Sequence, residues 1–390
     1  MFERLITSTL KNVVASFPAT ALTGPRQSGK TTLLQTTFPE YNYVSLESPD
    51  KLLTIQSDPR GFLEKNDNPW IMAEAQRFPE LFSYLQEYID QRKKPGQFIL
   101  SGSQNFLLSQ QISQTLAGRI ALLELLPLNY QEFKTNPQLS DISLWQYLCS
   151  GAYPRPYQEN LDVELWFNTY IKTYLERDVR EIINIRNLTK FQLFLRLCAG
   201  QHGQQLNLNA LASACGISQT TATEWLGILE ASYVVFKLQP YFNNFKKRLV
   251  KTPKLYFYDS GIVCRLLGIN SPEQLQMHVA RGMIFEGFII SEIIKLFYGK
   301  GKSASIYYWR DHTGNEIDLL IDYDGKLMAF EIKSGQTITK DFIKGITKWK
   351  TISSSPDELC YLIYAGNEYA KLQEITILPW DYDFYSILSH

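Results

Sequence analysis

Short apolar runs alternate with helical patterns along the first third of the chain. Continuous apolar runs of this kind are typical of parallel strands that are buried on both faces. The runs cover residues 19–23, 43–46, 69–72, 98–101 and 121–126. Residues 1–17 mix charged and apolar residues at the spacing of a short amphipathic helix. We therefore predict an α/β domain at residues 1–135, built around a parallel sheet.

The rest of the pattern divides into three regions. Residues 136–205 are mostly helical, with a break in the sequence GAYPRP at residues 151–156. Residues 206–252 indicate helix, turn, helix and then strands, which is the order of a winged helix. Residues 253–390 return to an α/β pattern. The predicted fold class is therefore a multidomain α/β protein with a helical and winged-helix middle region.

The first predicted strand leads into a phosphate-binding sequence. The octet GPRQSGKT follows the pattern G-x-x-x-x-G-K-[ST] between a strand and a helix. Glycines let backbone N–H groups turn toward phosphate oxygens, while Lys30 would reach the β- and γ-phosphates and Thr31 would ligate Mg²⁺. A chance glycine turn is the alternative, and the flanking strand and helix argue against it. The sequence predicts that ATP or GTP is bound by Gly24, Pro25, Arg26, Gln27, Ser28, Gly29, Lys30, Thr31 and Thr32.

A second acidic position is expected beside this loop, because such sites use a carboxylate to hold Mg²⁺ and to position water. Glu74 follows an apolar run, and Ala73 stands where the Mg²⁺-holding aspartate is expected. The next predicted strand ends near Ser103 and Gln104, beside the expected γ-phosphate, and Arg119 is a candidate arginine finger. The alternatives are a strand-end carboxylate for Glu74 and a solvated surface arginine for Arg119.

Residues 206–229 predict a helix, a glycine-containing turn and a second helix with Ser218 as its N-cap. Polar residues at the start of the second helix suit base edges in a major groove, and a basic stretch further along suits phosphates. The two sets are Gln219, Thr220, Thr221 and Thr223, and then Lys246, Lys247, Arg248, Lys251 and Lys254. We predict a winged helix that binds DNA through them. The alternative is a protein–protein module, since Glu224 would oppose phosphate.

Charged residues recur on a predicted β-hairpin near the C-terminus. Asp318 lies on its first strand, the turn falls at residues 324–325, and Glu331 and Lys333 share a face of the second strand. Two carboxylates with a lysine suit Mg²⁺-dependent phosphodiester hydrolysis, and Glu286 in an upstream helix can add a ligand. The arrangement resembles the PD-(D/E)XK nuclease core. The alternatives are a surface hairpin and a nuclease fold that has lost its activity.

The most specific motifs of the chain are GPRQSGKTTLL, EAQRFPEL, FILSGSQNFLL, LAGR followed by LELLPL, and GAYPR. Taken in order, they resemble a large family of bacterial and archaeal AAA+ ATPases with a C-terminal domain first named only as a domain of unknown function. The resemblance covers nearly the whole chain and implies ATP binding. The implied roles are water activation by Glu74, γ-phosphate sensing by Ser103 or Gln104, an inter-subunit finger in Arg119 and a second sensor in Arg155. The family has aspartate where this chain has Ala73, so ATP hydrolysis is expected to be slow.

Bulk composition narrows the partners and the compartment. Acidic and basic residues number 39 each, so contact with DNA requires a local basic patch. The five cysteines are scattered without a CxxC pair, which indicates reduced thiols in a cytoplasmic protein rather than a zinc site or a disulfide framework. No stretch approaches the length of apolar sequence that spans a membrane, so no membrane segment is expected.

These expectations combine into one hypothesis. The chain is predicted to contain a P-loop AAA+ domain (1–135), a helical connector (136–205), a winged helix (206–252) and a restriction-endonuclease-like α/β domain (253–390). Its expected function is that of a homo-oligomeric, ATP-controlled DNA-processing protein that uses ATP and Mg²⁺. One alternative is an ATP-dependent switch in which an inactive nuclease fold serves as a protein scaffold. Another is a chaperone-like regulator that acts on a protein partner.

Overall fold

The computed structural model describes residues 2–65, 68–103, 115–175, 188–241, 251–353 and 359–387. In these residues the strands form two sheets, one near the N-terminus and one shared by the middle and C-terminal regions. Short 3₁₀ or π segments also occur, at Ala75–Arg77, Pro137–Leu139, Ile171–Leu175 and Lys340–Ile343.

The N-terminal sheet is entirely parallel, with the strand order β2-β3-β4-β1-β5. Its strands are β1 Ala19–Thr23, β2 Asn42–Ser45, β3 Trp70–Ala73, β4 Phe98–Gly102 and β5 Ile120–Glu124. Strands β1 and β4 are buried along their whole length, as their continuous apolar sequences predict. Because β1 lies inside the sheet, the loop that follows it opens at the carboxyl edge, where ligands of such sheets bind.

Helices cover this sheet and lead into the middle of the chain. The first group is α1 Thr7–Ser16, α2 Lys30–Thr37, α3 Pro49–Ser57, α4 Pro59–Glu64 and α5 Leu81–Arg92. The middle group is α6 Tyr130–Lys134, α7 Leu144–Ser150, α8 Pro154–Gln158, α9 Val163–Tyr170 and α10 Leu188–Gly200. Side-chain caps fix several starts: the Asp162 carboxylate accepts a hydrogen bond from Leu165 N, and Asn129 with Glu132 forms a capping box at α6. The described residues of the predicted connector are therefore mostly helical.

Two helices joined by a tight turn occupy the region predicted as a winged helix. They are α11 Leu208–Cys215 and α12 Gln219–Ala231. Gly216 ends the first helix in a left-handed conformation, and the Ser218 hydroxyl accepts a hydrogen bond from Thr221 N at the start of the second. Short strands flank them, namely β6 Gln204–Gln205, β7 Val235–Pro240 and β8 Lys254–Phe257. The predicted phosphate contacts Lys246, Lys247 and Arg248 lie outside the described residues.

The C-terminal region adds helices and strands to the same sheet. The helices are α13 Ser260–Leu266, α14 Pro272–Met277, α15 Arg281–Gly299, α16 Lys344–Ser353 and α17 Phe384–Ile387. The strands are β9 Ile306–Arg310, β10 Glu316–Tyr323, β11 Lys326–Lys333, β12 Cys360–Tyr364, β13 Ala370–Leu372 and β14 Ile375–Pro379. Strands β10 and β11 form the predicted hairpin, whose turn contains Asp324 and Gly325 with positive φ.

One sheet crosses the boundary that the sequence placed between residues 252 and 253. Its order is β13-β14-β12-β11-β10-β9-β7-β8-β6. Strand β7 pairs antiparallel with β8 on one side and parallel with β9 on the other, at Gln239↔Tyr307 and Pro240↔Tyr308. Hydrogen bonds between strands therefore hold the middle and C-terminal regions together across this boundary, which itself stays a prediction.

Candidate nucleotide site

The loop between β1 and α2 has a backbone that requires glycine at both ends. Gly24 has a φ of 147°, and a Cβ atom there would lie 2.1 Å from the carbonyl oxygen of Leu125. Gly29 has a φ of 93°, and Gln27 also has a positive φ of 65°. Successive residues of this kind turn backbone N–H groups toward one side, which is how such loops enclose phosphate oxygens.

Lys30 is the first residue of α2, and its side chain hydrogen-bonds the backbone of the loop. Its side chain is buried, and Nζ donates hydrogen bonds of 2.8 Å to the carbonyl oxygens of Gly24 and Pro25. Thr31 and Thr32 follow on the exposed side of the first helical turn. A buried ammonium, a helix N-terminus and two hydroxyls therefore converge at one point, which is the donor set that a polyphosphate requires.

A cavity of about 380 Å³ opens over this loop, within the range of small-molecule sites. Its walls bring together predicted residues from separate parts of the chain. They are Arg26, Gln27, Gly29, Lys30, Thr31, Thr32, Glu74 and Arg155, joined by Glu47, Pro154, Gln158 and Glu159. Arg155 lies on α8, outside the parallel sheet, where Nε donates a hydrogen bond of 3.0 Å to Glu159 Oε1. The cavity is thus bounded by the α/β domain and by the helical connector.

Glu74 and Ser103, predicted from separate strands, are in direct contact. The Ser103 hydroxyl donates a 3.1 Å hydrogen bond to Glu74 Oε2, and Gln76 Nε2 donates another of 2.7 Å to the same oxygen. Glu74 has a left-handed φ of 55°, which is costly for a residue with a side chain and is often found at functional sites. This contact orients the carboxylate at the carboxyl edge of the sheet. Gln104, the alternative sensor, lies outside the described residues.

Arg119 lies at the opposite edge of the sheet from the loop. Its carbonyl oxygen accepts a hydrogen bond from Ala19 N at the amino end of β1, and its guanidinium pairs with Asp90, with 2.6 Å between Nε and Oδ1. An arginine at the amino ends of the strands cannot reach a nucleotide bound at their carboxyl ends in the same chain. Its role as a finger therefore stays a prediction that requires a second copy of the chain.

Glu47 is a cavity residue that the sequence did not single out. It follows β2, whose last residue, Ser45, pairs with Ala73 of β3. Glu47 and Glu74 therefore both lie at the carboxyl edge of the sheet. Glu47 Oε1 lies 3.6 Å from Arg26 Nη1 and 3.7 Å from Arg77 Nη2. The oxygen donors Thr31, Glu47 and Glu74 line one cavity, and this donor set fits Mg²⁺. The sequence signal for Glu47 is its position: it is an acid two residues after β2, the strand that pairs with β3 and Ala73.

A buried polar contact links the nucleotide loop to the helix–turn–helix region. The hydroxyl of Thr23, the residue before Gly24, lies 2.7 Å from the hydroxyl of Tyr233, which follows α12. Tyr233 Oη in turn donates a 2.9 Å hydrogen bond to Glu124 Oε1 on β5. Burial raises the pKa of Glu124, and the two tyrosine hydroxyls of Tyr233 and Tyr298 oppose that effect. The strand that carries the loop is therefore hydrogen-bonded to the end of α12.

The acids predicted in the C-terminal region also converge, but with lysines between them. Lys333 Nζ lies 2.8 Å from Glu331 Oε1 and 3.2 Å from Asp318 Oδ2. Lys254 Nζ lies 3.0 Å from Glu286 Oε1 and also pairs with Glu316. Within the described parts of the chain, no group of acids, histidines or cysteines has an arrangement that could hold a metal ion. The Mg²⁺ site expected at Glu286, Asp318 and Glu331 therefore stays a prediction, and in this structure these carboxylates are paired with ammonium groups.

Burial dominates the electrostatics of this cluster. Burial, followed by the charge of Asp318, raises the pKa of Glu331 to about 8, and Lys333 opposes the shift. Burial also raises the pKa of Glu286, against Lys254. Lys254 itself is only 4% exposed, so its predicted role as a phosphate contact of a basic wing is wrong. The sequence could not show this, because the partners of Lys254, Glu286 and Glu316, lie 32 and 62 residues further along the chain.

Three protein families match successive parts of the sequence. They are described as an AAA domain (residues 16–134), a domain of unknown function, DUF8612 (residues 141–273), and a domain of unknown function, DUF4143 (residues 281–382). The second match runs across residues 252 and 253, as the sheet does. The chain therefore contains an AAA domain and a C-terminal DUF4143 domain, and a P-loop fold of this kind implies nucleotide binding, usually with Mg²⁺.

The chain belongs to the family of the uncharacterized protein Rv2008c of Mycobacterium tuberculosis. The two are 33% identical over 334 residues, which cover 84% of this chain and 73% of that protein. The uncharacterized protein MJ1637 of Methanocaldococcus jannaschii is 22% identical over 253 residues, covering 63% of this chain and 50% of that one. Among solved structures, the Walker-type ATPase PABY2304 of Pyrococcus abyssi has a TM-score of 0.45 at 16% identity, covering 68% of this chain and 96% of that one. None of the helices in the described ranges is long and apolar enough to cross a membrane.

Proposed function

We propose that this protein is an ATP-dependent switch whose C-terminal domain is a scaffold rather than a nuclease. The observation that carries the proposal is the composition of the cavity wall, which includes both the phosphate loop and Arg155 with Glu159 on α8. A nucleotide bound there would contact two parts of the chain at once. Its presence would favour one arrangement of those parts over another, which is what a switch requires.

Different residues of the cavity would bind the nucleotide and support its slow hydrolysis. Backbone N–H groups of the loop and the Lys30 ammonium would hold the phosphates, and Thr31, Glu47 and Glu74 would supply oxygens toward Mg²⁺. Glu74, oriented by Ser103, would position the attacking water. Ala73 offers no ligand, so binding should be better preserved than turnover. The Thr23–Tyr233 contact provides a path by which occupancy of the loop would reach α12.

The scaffold role rests on the pairing within the C-terminal cluster. Its two lysines contact four carboxylates, those of Glu286 and Glu316 for Lys254 and those of Asp318 and Glu331 for Lys333. In this proposal the buried ion pairs hold β8, β10, β11 and α15 in a defined arrangement. A partner protein is therefore the expected target of the switch.

One observation favours a second function, a Mg²⁺-dependent nuclease that acts on DNA. Asp318, Glu331 and Lys333 meet as the motif requires, and Glu331 Oε2 is buried without a hydrogen-bond partner. The polar face of α12 supports a DNA contact, since Gln219, Thr220 and Thr223 are exposed. Arg119 would then act between copies of the chain in a homo-oligomer.

Isothermal titration with ATP and Mg²⁺ tests the binding half of the proposal. Wild type should bind, Lys30→Ala should not, and Lys11→Ala, which removes an exposed lysine from α1, should bind as wild type does. Undiminished affinity in a folded Lys30→Ala variant would refute the site. A DNA-nicking assay with Mg²⁺ or Mn²⁺ tests the other half. If wild type nicks DNA and Asp318→Asn does not, the scaffold proposal fails and the nuclease function replaces it.

A further inference from the structure

Arg4 contacts the phosphate loop from outside the cavity. Its guanidinium donates three hydrogen bonds, from Nη1 to Ser28 O at 2.8 Å, from Nη2 to Leu126 O at 2.7 Å and from Nε to Glu132 Oε2 at 3.0 Å. The Arg4 side chain is only 7% exposed. We propose that Arg4 is a positioning residue that holds the phosphate loop in its binding conformation. The proposal rests on the nucleotide-binding function proposed above.

The argument begins with the peptide that joins Ser28 to Gly29. In a planar trans peptide the C=O and N–H bonds point in opposite directions. Because Arg4 holds the carbonyl oxygen of Ser28, the N–H of Gly29 is fixed in the direction away from Arg4. Gly29 is the N-cap of α2 and lines the cavity. Its N–H is among the groups that a phosphate at this helix terminus uses.

Arg4 can fix that peptide because its own position is fixed. Glu132 is buried, and besides Arg4 its carboxylate accepts hydrogen bonds from Leu5 N at 2.7 Å and Asn129 N at 2.9 Å. The start of α6 is in turn held by the C-terminal domain, since Tyr130 N donates a 2.6 Å hydrogen bond to Glu292 Oε2 on α15. The loop, the N-terminal segment and α15 are thus joined through a series of buried and partly buried hydrogen bonds.

This anchoring has a consequence for affinity. A loop already held in its bound conformation loses less conformational entropy when the ligand binds, so the affinity is higher. The guanidinium serves three acceptors in a fixed planar geometry, which the single ammonium of lysine cannot reproduce. By reciprocity, a bound nucleotide should stabilise the docking of residues 2–6 against α6.

The test compares paired substitutions that leave no buried charge without a partner. Arg4→Met with Glu132→Gln removes the anchor, and Arg60→Met with Glu87→Gln removes an exposed Arg–Glu pair of the same domain as a matched control. Titration with ATP and Mg²⁺ should show an affinity about tenfold lower for the first pair and unchanged for the second. Hydrogen exchange should speed up in residues 24–31 of the first pair without a general rise elsewhere. Arg4→Lys, which keeps the charge, should also weaken ATP binding.

The outcomes separate this proposal from the one on which it rests. If folded wild type does not bind ATP, the proposed function and this inference fail together. If wild type binds, Lys30→Ala does not, and the Arg4 pair binds within about twofold of wild type, only the positioning role is overturned. If the double variant does not fold, Arg4→Lys decides alone: equal affinity in that variant refutes the role, and weaker binding with unchanged thermal stability supports it.

Discussion

Replacing Lys254 with methionine should destabilise the C-terminal sheet. The Lys254 side chain is 5% exposed and contacts Glu286 and Glu316, whose own side chains are 13% and 22% exposed. Methionine fills a similar volume but leaves both carboxylates without their shared ammonium. Removing one partner of a buried ion pair costs about 3–5 kcal/mol, and the partial exposure of Glu316 places the expected loss near the lower end, at about 3 kcal/mol.

The size of the loss should depend on pH. Burial already raises the pKa of Glu286, and Lys254 is the strongest influence that lowers it. Without Lys254 the pKa of Glu286 in the folded protein rises further above its value in the unfolded chain. A carboxyl group of this kind contributes stability below its unfolded pKa, and that stability is lost as the pH rises toward its folded pKa. The variant should therefore be closer to wild type at pH 5 than at pH 8.

Urea titration measures the loss in the free energy of unfolding. Hydrogen exchange in β10 and β11 then shows whether the loss falls in the C-terminal sheet. Lys11→Met, a substitution of an exposed lysine far from the cluster in sequence, controls for loss of charge. The free energy of unfolding should fall by about 3 kcal/mol at pH 8 and by clearly less at pH 5. A loss below about 1 kcal/mol at pH 8, or an equal loss at both pH values, would show that the cluster is solvated and would remove the argument for a scaffold.

The other predictions concern single positions. Ala73→Asp should raise the steady-state rate of ATP hydrolysis without a comparable gain in ATP affinity, and unchanged turnover would mean that the Mg²⁺ ligand lies elsewhere. Glu331→Gln should raise the thermal midpoint relative to wild type more at pH 9 than at pH 5. The pKa of Glu331 is raised to about 8, so wild type loses stability as the pH rises across this range. An equal effect at both pH values would contradict the raised pKa. Tyr233→Phe should cost about 1 kcal/mol and reduce the protection that ATP gives α12 in hydrogen exchange, whereas full protection would exclude this route.

The phosphate loop could be predicted because the residues that bind phosphate and the residues that shape its backbone are adjacent in the sequence. A strand, two glycines and Lys30 occur in one short segment, and the structure places them as the motif requires. The hairpin at residues 316–333 was equally local, since mostly apolar strand sequences flank an Asp-Gly turn. In both cases the interactions that define the feature lie close together in sequence.

The residues that sequence analysis missed act over long distances in the chain. Arg4 reaches Leu126 and Glu132, more than a hundred residues away, and its own segment showed only a helical pattern. The sequence pattern placed Lys254 on a basic surface, because four basic residues closely precede it. Only the pairing of β7, β8 and β9 reveals that this lysine faces acids from α15 and β10. Tertiary contact, rather than local propensity, determines the roles of both residues.

The position of β7 between β8 and β9 has a practical consequence for dissecting the protein. A fragment that ends at residue 252 would leave both edges of β7 without hydrogen-bond partners, and one that begins at residue 253 would expose β9 and separate β8 from its neighbours. Unpaired edges of this kind promote aggregation of isolated fragments. Domain exchange between relatives is therefore better attempted with the whole stretch from Leu188 to Pro379 as one module than with the C-terminal family domain alone.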